Sequence, residues 1–192
     1  AHKFFSEQTT IEPVKYIPVQ YGESFPDIPM CKETAIYIVD FSYDRKTLVD
    51  VHSKVGKLVV LDHHKTAQEE LMGLEFAHFD MGKSGAVLAW EYFHPGKPIP
   101  DLLRYIQDRD LWKFELPGTK PIFSALVNRN VLTQPVNAPD SPFVKLINAT
   151  IQNHGFDKLI KEGKMLDQYR DNLIASYGKS KSGKVMLTEW GG

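Results

Sequence analysis

Thr34-Ala35-Ile36-Tyr37-Ile38-Val39-Asp40 and Lys57-Leu58-Val59-Val60-Leu61-Asp62 are two β-rich runs, and each ends on a carboxylate. They read as strands of the kind that is buried on both faces. Between them, Ser42 or Asp44 can cap a helix that runs to about Lys54, with Leu48, Val49 and Val55 on its apolar side. Gly56 ends that helix. Strand–helix–strand crossovers are right-handed in nearly all proteins, and they make the two strands parallel. Asp40 and Asp62 then share one edge of the sheet. Ligands of open parallel sheets bind outside that carboxyl edge.

Working outward, Val14 to Val19 is a candidate first strand weakened by Pro18, and Tyr21 to Lys32 reads as a loop. Leu74 to Phe79 is a short strand ending at Asp80, and Ser84 to Phe93 is a helix. A further helix spans Asp101 to about Asp108, Ser141 to Asn153 is helical, and Phe156 to Tyr177 is a long amphipathic helix. Ser176 to Lys184 is Gly- and Lys-rich and suits a linker. The expected class is α/β: a parallel, Rossmann-like sheet flanked by helices, then a helical segment and linker. Residues 1–154 form the α/β domain, and 155–192 lead toward a further C-terminal domain.

The 192 residues suffice for one sizeable domain, and 42% hydrophobic with 24% charged residues is a globular composition. A formal net charge of −1 argues against a bulk electrostatic grip on nucleic acid. Cys31 is the single cysteine, which excludes an internal disulfide and points to a reducing, cytoplasmic setting. No apolar run is long enough to span a bilayer, so no membrane partner is expected. A homodimer is left open.

The chemistry concentrates where the second strand breaks into a loop. Asp62, His63 and His64 are three metal-capable side chains in a row, and such groups must be paired, solvated or metal-bound. Asp40 either bridges metals or caps the following helix; Ser42 and Asp44 can take the capping role and free it. Asp108 and Asp110 sit at a helix C-terminus, where the macrodipole disfavours carboxylates. A cation can compensate one of them, with pairing to Arg109 or Arg104 as the plain alternative. Gly82-Lys83-Ser84 falls short of a P-loop, because Ala77 stands where the first glycine is required. Lys83 and Ser84 are still candidates for holding a phosphate at a helix start, with an ordinary cap as the alternative. Lys65 is either a phosphate contact or merely solvated. Trp112 and Phe114 read as core aromatics, with stacking on a base as the alternative. The remaining histidines, His78 among them, read as surface or packed residues.

Val39-Asp40-Phe41-Ser42, Val60-Leu61-Asp62-His63-His64-Lys65-Thr66, Ser84-Gly85-Ala86 and Asp108-Arg109-Asp110-Leu111-Trp112 together resemble the DHH phosphoesterase superfamily. That group includes RecJ-type exonucleases, nanoRNases, manganese-dependent pyrophosphatases and exopolyphosphatase-like proteins. The resemblance covers about residues 14 to 115. It implies a dinuclear site, usually Mn²⁺, with Mg²⁺ or Co²⁺ as alternatives. Asp40 matches the bridging carboxylate, Asp62 and His63 belong to the metal shell, and His64 faces the substrate phosphate. A further ligand falls at Asp110, with Asp108 as its rival. The family's first ligand-bearing strand and its C-terminal substrate domain have no counterpart here, which suggests a fragment of a longer protein. The expected activity is hydrolysis of a phosphoanhydride or phosphodiester in a phosphate-containing small molecule. A short oligonucleotide or cyclic dinucleotide is the alternative substrate. A non-catalytic metal-binding or regulatory domain is the alternative outside enzymes.

Overall fold

The computed structural model describes residues 14–131, Lys145 and 155–178. Three parallel strands form its sheet in the order β1 (Ala35–Val39), β2 (Lys57–Asp62), β3 (Ala77–Phe79). Helix α1 (Arg45–Lys54) joins the first two, and α2 (Lys65–Glu70) follows β2. The chain continues through α3 (Gly85–Phe93), α4 (Asp101–Asp110), α5 (Thr119–Asn128) and α6 (Gly155–Gly178). The class is α/β, as the two β-rich runs lead one to expect.

The strand periodicity decides which helix covers which face. On β2, Leu58 and Val60 point into a core built with Ile38, Leu48, Val51 and Leu71. Val59 and Leu61 point the other way, against Phe93, Leu88 and Tyr92. So α1 covers one face and α3 the other, and β2 between them is buried from Leu58 to Asp62. Register places Val39 opposite Leu61, and Asp40 N–H extends the ladder to Leu61 O at 2.9 Å. Asp62 pairs in register with Phe79. Asp40, Asp62 and Asp80 therefore stand at the same carboxyl edge.

A second core is wholly helical. Leu102 of α4, Ile122, Phe123, Ala125 and Leu126 of α5, and Leu159 of α6 form it. Helices α5 and α6 approach closely at Gly163: a Cβ there would lie 1.7 Å from Pro121 O, so a larger residue would force the helices apart.

Several sequence expectations shift. Residues 14–19 are not a strand; Pro18 removes a ladder donor and the segment pairs with none of the three strands. Asp44, not Ser42, caps α1, accepting from Thr47 N at 2.9 Å. Val49 is exposed and Val51 takes the buried place on that helix. Helices α2 and α5 were not foreseen, and α4 runs on to Asp110. Residues 176–178 continue α6 and do not open a linker. Apart from Lys145, the expected helix over 141–153 lies outside the described residues, as does 179–184. Among the described residues, no helix is long and apolar enough to cross a membrane.

Candidate metal centre

Asp40 ends β1 with a left-handed backbone, φ 58°. Aspartate tolerates that conformation better than most residues, because its short polar side chain can bond locally. The turn is possible because the residue packed against it is Gly85, the first residue of α3. A Cβ at Gly85 would lie 2.4 Å from Asp40 Cβ and 2.5 Å from its Oδ1. Asp44 takes over the cap of α1, so the Asp40 carboxylate is not spent on the helix.

Three elements then converge. His63, just past β2, has a side chain only 12% exposed, and its Nε2 lies 3.1 Å from Asp40 Oδ1. The same nitrogen lies 3.4 Å from Asp110 Oδ2, at the last turn of α4. His64 joins the group: ligand atoms of Asp40, His63 and His64 all fall within 4.8 Å of one another. The His63 and His64 rings are 4.8 Å apart. Burial, and then the neighbouring Asp110 carboxylate, push the Asp40 carboxyl above its ordinary range, while His63 and His64 act in the opposite direction. Two carboxylates crowded on one imidazole form an arrangement that a cation relieves.

Asp62 is fully buried and its oxygens are taken. Oδ2 accepts the Ser42 hydroxyl at 2.6 Å. Oδ1 accepts the backbone N–H of His63 at 2.7 Å and lies 2.6 Å from His64 Nδ1. An imidazole held through Nδ1 keeps its other ring nitrogen for a different partner. A carboxylate orienting an imidazole in this way recurs behind metal and catalytic histidines. The structure thus places Asp62 behind the His64 ring, which it orients, and against the His63 backbone, with both of its oxygens already bonded within the protein.

Asp108 and Asp110 separate cleanly. Asp108 is buried and accepts N–H groups of Glu115 at 2.8 Å and Leu116 at 3.1 Å, together with the Thr119 hydroxyl. Burial alone would raise its carboxyl, but these three donors outweigh it and hold the group below the ordinary carboxylate range. It organises the turn between α4 and α5 and is not at the cluster; Asp110 is.

The remaining candidates are placed elsewhere. Ser84 is fully buried as the cap of α3, accepting from Val87 N, with no surface for a phosphate. Lys83 is drawn to Glu91 at 2.8 Å and Asp80 at 3.3 Å. Lys65 starts α2 in solvent, with Glu69 3.9 Å away. His78 is exposed on β3, its ring 6.3 Å from Tyr92. Beside His64 lies a groove of about 470 Å³, lined by Tyr21, Ser42, Tyr43, Thr66 and Glu70. Gly85 and Ser42 are site residues that sequence reasoning gave no such role. Neither has a local signal, since each acts through a residue twenty or more positions away.

No family model matches the chain, and no solved structure matches it. An uncharacterized protein of Acanthamoeba polyphaga mimivirus is similar to it, 36% identical over 113 residues. That alignment takes in 55% of this chain and 27% of the viral protein, so the chain spans about a quarter of that relative's length.

Proposed function

We propose that the protein is a divalent-metal-dependent phosphohydrolase that cleaves a phosphoanhydride or phosphodiester bond. The observation that carries this reading is the meeting of Asp40, His63 and Asp110, from three separate elements, at 3.1–3.4 Å on one imidazole nitrogen. Two carboxylate oxygens and an imidazole suit a hard or borderline divalent ion, Mn²⁺ first, with Mg²⁺ or Co²⁺ as alternatives. When bound, such an ion supplies Lewis acidity and a water acidic enough to ionise near neutral pH. A site for one ion is supported by the ligand atoms of Asp40, His63 and His64 lying within 4.8 Å of one another, with Asp110 Oδ2 3.4 Å from His63 Nε2. A dinuclear centre, which the DHH resemblance implies, takes its further ligands from outside this cluster.

The chain's own residues have distinct parts in this reading. Gly85 leaves room for Asp40 to hold its turned conformation. Ser42 fixes Asp62, and Asp62 fixes His64 with its second ring nitrogen directed away from the buried carboxylate. The second ring nitrogen of His64 then faces a phosphate oxygen, and Lys65 adds positive charge from solvent. The groove beside His64 gives a phosphate-containing molecule a path to the edge of the sheet. The single cysteine agrees with a cytoplasmic setting.

The test is a Mn²⁺-dependent hydrolysis screen over pyrophosphate, polyphosphate, dinucleotides and single strands, run with wild type, Asp40→Asn and His63→Ala. The reading expects phosphate or nucleotide release by wild type on at least one substrate class, reduced about a hundredfold or more in both variants. Metal-independent turnover, or equal rates in all three proteins, would contradict it.

A further inference from the structure

We infer that Tyr21 is a positioning residue: its ring packs against the His64 imidazole and, together with Asp62 and His63, keeps that imidazole in one orientation beside the metal cluster. The consequence for turnover rests on the phosphohydrolase reading. Tyr21 lies in the loop before β1, far in sequence from every candidate ligand. It is 66% exposed, and an exposed tyrosine is ordinary in itself. A ring this exposed that is nevertheless held by its turn and by a neighbour on the core, and that meets a site histidine, is not.

The turn is closed twice. Glu23 N–H donates to Gln20 O at 3.1 Å, and Gln20 N–H donates to Glu23 Oε2 at 2.9 Å. Gly22, with φ 90°, supplies the positive φ that the second corner of such a turn requires, and Tyr21 takes the first. The Tyr21 ring rests 4.6 Å from that of Phe41, which is 7% exposed. Phe41 in turn meets Tyr43 at 4.9 Å, and Tyr43 meets Phe25 at 5.0 Å. Tyr21 is thus the outer end of an aromatic row rooted in the core. The same ring meets His64 at 6.2 Å and 81°, the spacing and angle of an edge-to-face pair. After burial, the Asp62 and Asp40 carboxylates both push the Tyr21 phenol above its ordinary range, so the ring stands within the field of the site.

His64 is the residue that needs such support. Its side chain is 42% exposed, and its Nδ1 is tied to Asp62 Oδ1 at 2.6 Å. A ring held through one nitrogen can still pivot about that bond. The rings of His63, at 4.8 Å, and Tyr21, at 6.2 Å, limit the pivot. An imidazole whose second nitrogen must meet a phosphate oxygen loses rate steeply when displaced by about 1 Å. Tyr21 also lines the groove beside His64, so it stands where a phosphate-containing molecule enters. The run Asp40-Phe41-Ser42 then serves the site residue by residue: a candidate ligand, the seat of Tyr21, and the donor to Asp62. Among the described residues, these contacts of Tyr21 are made by its ring and not by its hydroxyl, so phenylalanine can replace it.

Two readouts on wild type, Tyr21→Ala and Tyr21→Phe test this, after circular dichroism shows that each is folded. The first is NMR relaxation of the His64 ring in the metal-free full chain, with the signal assigned by its loss in His64→Gln. The expected result is a rigid ring in wild type and Tyr21→Phe, and nanosecond motion in Tyr21→Ala. The second is steady-state hydrolysis of pyrophosphate and of bis(para-nitrophenyl) phosphate with Mn²⁺. Here kcat is expected to fall about ten-fold or more in Tyr21→Ala, with KM changed far less, and to be recovered in Tyr21→Phe. A His64 ring equally rigid in all three proteins, a loss confined to KM, or a loss that Tyr21→Phe does not recover would overturn the assignment. Turnover of neither substrate by wild type would count against the hydrolase reading, and the relaxation data would still decide the place of Tyr21.

Discussion

Gly85 and Asp40 show how a residue with no side chain can decide a site. The proximity of Asp40 Cβ leaves no space for a methyl group on Gly85. Gly85→Ala is expected to shift Asp40 from its place beside His63 and to cost about 1–3 kcal/mol of stability through overpacking. Mn²⁺ affinity, followed by electron paramagnetic resonance of the free ion, should fall about ten-fold or more while far-UV circular dichroism stays native. Unaltered affinity would show that Asp40 needs no such seat. Asp108 makes a different prediction. Its carboxyl is held below the ordinary range in the folded chain. Its stabilising contribution is therefore full above the unfolded value, about 4, and is lost as pH falls through the folded value. Asp108→Asn should lower stability at pH 7 by about 1–3 kcal/mol, and this deficit should shrink on acidification. Thermal melts of both proteins from neutral pH down to about 3 check this; a deficit constant with pH would contradict it.

Among the elements, α6 divides into two halves with different duties. Its first half buries Leu159 and seats Gly163 against Pro121. Its second half exposes Tyr169 and Tyr177. Gly163→Leu is expected to separate α5 from α6 and cost several kcal/mol, lowering Tm by roughly 5–10 °C. Tyr169→Ser should move Tm by no more than about 1–2 °C, as for other surface changes. Equal shifts from the two variants would contradict this division, and differential scanning calorimetry reads both. The helical spacing over Phe156 to Tyr177 located this helix; periodicity reports amphipathicity and not how far a partner extends along it. The absence of α2 and α5 from the sequence reading has a similar cause. Lys65–Glu70 is a single polar stretch with no buried residue, and α5 starts from an uncapped glycine with φ 96°.

For the whole molecule, the β1–α1–β2 unit was legible because two apolar runs, a cap at Ser42 or Asp44 and the handedness of the crossover are all local or general facts. The same reasoning brought Asp40 and the His63–His64 pair to one edge. It could not assign Asp62 its partners, since only the fold shows that Ser42 and His64 occupy its oxygens. Nor could it choose between Asp108 and Asp110, which differ by half a helical turn and so face different neighbours. Trp112 was misplaced for a further reason: composition favours burying an indole, yet this one is 70% exposed, and the left-handed turn that holds it out, φ 56°, has no glycine to announce it. The central claim is that Asp40, His63 and Asp110 hold a divalent ion together. Isothermal titration of Mn²⁺ into wild type, His63→Ala and Asp110→Asn tests it most directly. The account predicts saturable binding by wild type, weakened ten-fold or more in each variant. Wild type that takes up no Mn²⁺, or variants that bind it as well as wild type does, would contradict it.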